Sequence, residues 1–201
     1  MITLLSEKES PRPMPRRLRL LLVSNAFYPE ISPRSYRATE LAREFCRQGH
    51  DVVVVTKARD HDYADFLKET PIIIRTWNGE KLPPVKIARR NPWALITRMI
   101  KRVLMVFLEY PAIEDMFHVR KILKSEEGYD MMISFAVPYP VQWGVAWVRN
   151  RRRRISRIWI ADCGDPYMGD VLDSFRKPFY FAFLEKWFCR KAEFISIPVK
   201  S

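Results

Sequence analysis

Two short runs of unbroken apolar residues, Arg19–Ser24 (RLLLVS) and 51–56 (DVVVVT), constrain the fold of this chain more than any other feature. A strand with one wet face alternates apolar and polar side chains. A run without alternation has both faces covered, the condition of a strand inside a parallel sheet flanked by helices. Between the two lies a segment with helical start and stop signals. Ser32 stands as N-cap and Pro33 at the first helical position, Ala38, Leu41, Ala42 and Phe45 recur at helical spacing, and Gly49 ends the pattern. Strand, helix and strand within sixty residues make a βαβ unit, and such units build parallel sheets through right-handed crossovers.

The rest of the chain repeats the alternation. Strands are expected at 71–76 (PIIIRT), 131–134, 157–161 (RIWIA) and 194–197 (FISI), and helices from 91 to about 108, at 113–124, from about 140 to 149, and at 177–191. The expected fold class is therefore α/β, a Rossmann-like doubly wound, mainly parallel sheet of about six strands. The longest uncharged stretch, 131–148, is nearly long enough to span a bilayer. Pro138, Pro140, Gln142 and Gly144 interrupt it, so it reads as a strand, a turn and the start of a helix. The first residues lack the basic start and the apolar length of a secretory signal. Residues 1–17 are expected to form a disordered basic lead-in, and 18–201 one folded domain.

Charge is localised. The chain carries a formal +12, with seven basic and no acidic residues in 81–102 and six arginines in 149–157. Such concentration points to a local anionic partner. Within 91–108, Arg98, Lys101 and Arg102 share one helical face while Ile96, Met99, Ile100, Val103 and Phe107 spread over the other. That is the pattern of an amphipathic helix on an anionic membrane surface, and equally that of a core-facing helix. Aromatics are not interleaved with the basic runs as a nucleic-acid stacking platform requires, so nucleic acid is not an expected partner. The three cysteines, at 46, 163 and 189, share no metal-ligand spacing and suit a reducing, cytosolic setting.

Several α/β chemistries lack their motifs. No G-x-G-x-x-G follows the first strand, no P-loop occurs anywhere, and the histidines at 50, 61 and 118 form no metal cluster. Four segments do carry a resemblance: LLLVSNAFYPEISPRSYRATELAREFCRQGHDVVVVT at 20–56, YDMMISFAVPYP at 129–140, WIADCGDPY at 159–167, and LEKWFCRKAEFISI at 184–197. In order and spacing they resemble the acceptor-side, N-terminal domain of family-four glycosyltransferases of the two-domain GT-B fold.

The resemblance implies a retaining, metal-independent transfer of sugar from a nucleotide-sugar to a lipid-linked or polysaccharide acceptor. No further cofactor is implied, and the donor would be bound mainly by a second domain absent from this sequence. On that basis the chain alone is expected to be inactive, and its place to be cytoplasmic, peripheral at the inner face of the membrane. The alternative is a non-catalytic split or degenerate half that binds a membrane surface or a partner donor-domain chain.

The resemblance also directs attention to particular residues. At 32–35 the family commonly has a small, glycine-rich run that lets backbone approach a diphosphate. Pro33 and Arg34 stand there instead, so guanidinium donors from Arg34 or Arg37, beside Ser35, are the expected phosphate ligands. Gln142 occupies a position where relatives carry histidine, and it hydrogen-bonds without titrating. Asp162 and Asp165 follow the fifth strand, where a carboxylate accepts hydrogen bonds from sugar hydroxyls or acts as a base. Asp165 equally suits a turn cap before Pro166.

Overall fold

The computed structural model describes residues 16–78, 94–150, 154–164, 168 and 177–197. Most of the expected lead-in, the basic stretch 81–93, Arg151 to Arg153 and Asp165 lie outside the described residues. Strands β1 (Arg19–Ser24), β2 (Asp51–Lys57), β3 (Ile73–Trp77), β4 (Tyr129–Phe135), β5 (Ser156–Asp162) and β6 (Phe194–Ser196) form one sheet in the order β3-β2-β1-β4-β5-β6. Every neighbouring pair is parallel. The helices are α1 (Pro33–Arg47), α2 (Ala64–Glu69), α3 (Ala94–Leu108), α4 (Ile113–Leu123), α5 (Pro140–Val148) and α6 (Tyr180–Cys189). The chain is thus an α/β, Rossmann-like doubly wound domain.

The apolar runs do what their lack of alternation requires. On β1, Leu20 and Leu22 face one side of the sheet and pack with Ala38 and Ala42 of α1 and Phe66 of α2. Leu21 and Val23 face the other side, with Val119 and Leu123 of α4 and Val141 and Val145 of α5. Register places Leu21 opposite Val53 of β2 and Met132 of β4, so the centre of the sheet is apolar across three strands.

Helix α1 starts and stops where its signals stand. The Ser32 Oγ accepts from the Ser35 amide at 3.2 Å, Pro33 is the first helical residue, and Gly49 follows with a φ of 84°, a left-handed conformation that favours glycine. Helices α4 and α5 approach so closely at Gly144 that a Cβ there would lie 2.8 Å from both the Met116 carbonyl oxygen and the Val119 Cβ.

Some boundaries differ from expectation. Strand β3 begins at Ile73 because Ile72 N donates to Thr70 O in a turn, at 2.8 Å. Strand β4 runs two residues earlier, paired through Tyr129 with Ser156. Helix α6 starts only at Tyr180, after a turn closed by Phe181 N onto Pro178 O. Helix α2 was not expected, being six residues long and too short to show a period. Among the described residues no helix is long and apolar enough to cross a membrane.

The arginine run begins differently from a solvated helix end. Arg149 is buried, its guanidinium on Glu193 at 2.6 Å and on the Ser156 hydroxyl at 3.2 Å, while Glu193 also accepts from Trp159 N at 2.8 Å. Lys191 does the capping, donating to Ala146 O and Arg149 O at the end of α5 at 2.6 and 3.0 Å.

Candidate functional site

Strand order reverses between β1 and β4. The chain leaves β1 for α1 on one face of the sheet and leaves β4 for α5 on the other, so the two connections diverge and open a crevice beyond the carboxyl ends of the strands. A cavity of about 460 Å³ occupies that place. Ser32, Pro33, Arg34 and Arg37 line it from α1, Phe135 to Val137 from the end of β4, and Asp162 and Gly164 from the end of β5.

The electrostatics of the cavity come from few groups. Arg37 Nη1 donates to Asp162 Oδ2 at 2.7 Å, with the arginine side chain 43% exposed and the carboxylate only 9%. Arg34 is exposed at the cavity edge. Both guanidinium groups sit in the first turns of α1, where the helix dipole is positive and no acidic residue stands in the first turn. Pro33 has no amide hydrogen, so side chains rather than a glycine-rich backbone present the positive charge. The Arg37 guanidinium passes close to Gly164: a Cβ at 164 would lie 3.8 Å from Nη1, in ordinary van der Waals contact. Asp162 thus takes its guanidinium partner from α1.

The remaining expected site residues are placed differently. Ser35 is buried, its amide donates to the N-cap, and it does not line the cavity. Gln142 is fully buried. Its Oε1 accepts from the Ser134 hydroxyl, and its Nε2 donates to Ser134 O at 2.9 Å and Asp162 O at 3.4 Å. Trp159 Nε1 donates in turn to the Ser134 hydroxyl at 2.7 Å. Gln142 therefore ties α5 to the ends of β4 and β5 beneath the crevice. Arg98, Lys101 and Arg102 lie on α3 and none of them lines the cavity.

Sequence reasoning missed a charged cluster beside the crevice. Asp115, buried at the start of α4, accepts from Asn25 Nδ2 at 2.7 Å and from Trp77 Nε1 at 3.2 Å, and lies 3.5 Å from Lys57 Nζ. Asn25 follows β1, Lys57 ends β2 and Trp77 ends β3, so one carboxylate collects three strand ends. The available signal was a lysine closing an otherwise apolar strand.

Among the described residues no group of three or more His, Cys, Asp and Glu side chains is placed to hold a metal ion. Burial pushes the Cys163 thiol up to about 12, with the charges of Cys189 and Asp162 adding to it. A thiol so held is protonated at neutral pH and is no nucleophile. Val137, a β-branched residue with a φ of 59°, shapes the wall between β4 and α5. That conformation costs on the order of 1–3 kcal/mol and is sustained by the packing around it.

No curated protein matches the chain. Two crystal structures of the C-terminal domain of a hydrogenase from Pyrococcus furiosus align at 15% identity. They cover 69% of this chain and 90% and 92% of theirs, with TM-scores of 0.33 and 0.35, too low to bear on function. The model of the glycosyl transferase 4-like domain matches residues 35–199, which includes α1 from Ser35 onward, the whole of β4 and β5, and Arg37, Gln142 and Asp162. With most of its length matched, the chain belongs to the glycosyl transferase 4-like domain family.

Proposed function

We propose that the domain is the acceptor-side half of a retaining glycosyltransferase, taking sugar from a nucleotide-sugar to a lipid-linked or polysaccharide acceptor, with the phosphate-bearing substrate held in the crevice between β1 and β4. The observation that carries this reading is the Arg37–Asp162 pair inside a cavity at the switch point of the sheet. When a nucleotide-sugar reacts, the bond from the anomeric carbon to the diphosphate breaks and negative charge grows on the leaving phosphate. Arg34 and Arg37, at the positive end of α1, supply donors where that charge would develop. Asp162 supplies a carboxylate acceptor for a sugar hydroxyl once Arg37 turns to phosphate. The donor's nucleoside is assigned to a second domain or a partner chain.

Titration of inorganic pyrophosphate and of uridine diphosphate into the isotopically labelled chain, followed by amide NMR, tests this. Saturable shifts at Arg34, Arg37, Ala136 and Gly164 are expected, with affinity lowered at least about tenfold in Arg37→Ala. Absence of any saturable shift there overturns the reading.

A second reading, a non-catalytic half that binds a donor-domain chain, is favoured by one observation. Gln142 is consumed by protein partners and brings no titratable group to the crevice. Phosphate binding without sugar transfer, in the presence of a donor-domain chain and acceptor lipid extracts, would support it.

A further inference from the structure

The apolar arc of α3 faces solvent. Successive residues of a helix turn by about 100°, which places Arg98, Lys101 and Arg102 within an arc of about 100°. Met99, Val103, Ile96, Phe107 and Ile100 lie in the opposite half, with Leu95 at its edge beside Arg102, while Met105 stands among the basic side chains. A core-facing helix would bury that half. Here Leu95 is 66%, Met99 62% and Val103 53% exposed. The helix contains no acidic residue, and Arg98 and Arg102 are exposed on its other side.

The exposed apolar surface continues onto α6. The Tyr180 hydroxyl donates to the Phe107 carbonyl oxygen, and Lys177 Nζ lies 3.5 Å from Glu109 Oε1, so the end of α3 and the start of α6 are fastened together. Phe179 and Phe183 stand beside that junction at 77% and 67% exposure, their rings edge to face with centroids 6.4 Å apart. An uncovered apolar surface on two elements marks an interaction site. Its basic flank, with no acid on α3 and Glu109 paired with Lys177, selects an occupant that is apolar within and anionic at its surface.

We infer that α3 and the start of α6 together form a docking surface for an anionic lipid bilayer, with the apolar arc of α3, Phe179 and Phe183 entering the acyl boundary and Arg98, Lys101 and Arg102 meeting the headgroups. This is the chemistry of an interfacial amphipathic helix, in which buried apolar area and electrostatic attraction act together. The surface lies at the crevice end of the sheet: α3 leads through Glu109 and Tyr110 into α4, whose Asp115 holds Asn25 just beyond β1. Docking is independent of the phosphate-binding reading, since none of its residues lines the cavity.

The test is co-sedimentation of the full chain with vesicles of phosphatidylcholine alone and of phosphatidylcholine mixed with phosphatidylglycerol. Binding to the mixed vesicles is expected to be at least about tenfold tighter. Reversal of Arg98, Lys101 or Arg102 to Glu singly should weaken it about fivefold or more. Val103→Glu, at a position already in water, should weaken binding to both vesicles with an unchanged circular dichroism spectrum, and Phe183→Ser should do the same. Equal binding to the two vesicle types, or full binding by Val103→Glu, overturns the proposal. So does a dimer, seen by sedimentation velocity, that Val103→Glu dissolves while no vesicle binding is found, because the surface then belongs to a second copy.

Discussion

Arg37 Nη1 lies 2.7 Å from Asp162 Oδ2, so a guanidinium on the first helix is tied to a carboxylate on the fifth strand, 125 residues away in sequence. The two partners are unequally placed. Asp162 is nearly enclosed, and Arg37 retains water over much of its side chain. Removing one is therefore not equivalent to removing the other.

Arg37→Ala strands a buried carboxylate, whereas Asp162→Asn leaves a half-solvated guanidinium that water satisfies. The first should cost on the order of 1–3 kcal/mol of stability and the second less, about 1 kcal/mol or below. Their effects on the cavity run in opposite directions: Arg37→Ala weakens pyrophosphate binding, and Asp162→Asn, by releasing Arg37, strengthens it. Urea unfolding and calorimetric titration of the two variants check both orderings.

Gln142 holds the floor of the same crevice from within. Gln142→Leu fills a similar volume but leaves the Ser134 hydroxyl without its acceptor and the Ser134 carbonyl without its donor. Each buried orphan costs roughly 1–3 kcal/mol, so a loss of about 2–6 kcal/mol in urea unfolding is expected. Ser134→Ala removes the hydroxyl along with its need for a partner. The double variant should therefore be less destabilised than the sum of the singles.

Local chemistry made the first half of the sheet legible and distance hid much of the site. Runs such as RLLLVS declare burial on both faces in six residues, and Ser32, Pro33 and Gly49 mark α1 without reference to anything else. Arg34 and Arg37 were legible because a loop after β1 in this fold faces the crevice. The partnership of Arg37 with Asp162 was not, since nothing local to either residue encodes it. Gln142 is buried among protein partners, which its residue type does not announce. The better signal was its helix: PVQWGVAWV carries no charge on any side, and a helix apolar all round is buried, whatever single polar residue it holds. Periodicity alone separates the basic arc of α3 from its apolar arc, but which of them meets solvent depends on where tertiary packing sets the helix.

Gly144 reports on the contact that carries α5. A methyl group there would press on the backbone of Met116 and the branched Cβ of Val119, neither of which has a flexible end to withdraw. Gly144→Ala gains helix propensity of about 1 kcal/mol, yet overpacking of this kind costs about 1–3 kcal/mol. The clash is with backbone, so the cost should prevail and lower the melting temperature by several degrees. A melting temperature equal to or above that of the parent chain would show that α4 and α5 separate easily.

Alkaline stability should turn on Cys163 and Tyr129. Burial first, then the charges around it, pushes the Cys163 thiol from 9.0 up to about 12. Burial, the hydrogen bond to Glu126 and that residue's charge push the Tyr129 hydroxyl from 10.0 up to about 12. In both cases the fold holds the proton more tightly than the unfolded chain does. Their contribution is thus complete below about pH 9 and is lost as pH climbs towards 12, where the unfolded chain gains by ionising and the folded one does not. Each pH unit between the two values is worth about 1.4 kcal/mol, so Cys163 alone accounts for on the order of 4 kcal/mol by the end of that window. Urea midpoints measured from pH 7 to 11 should fall steeply above pH 9 in the parent chain and less steeply in Cys163→Ala and Tyr129→Phe. Iodoacetamide at pH 8 should label the partly exposed Cys46 well before Cys163. Parallel pH profiles in all three proteins, or early labelling of Cys163, would show that neither proton is held by the fold.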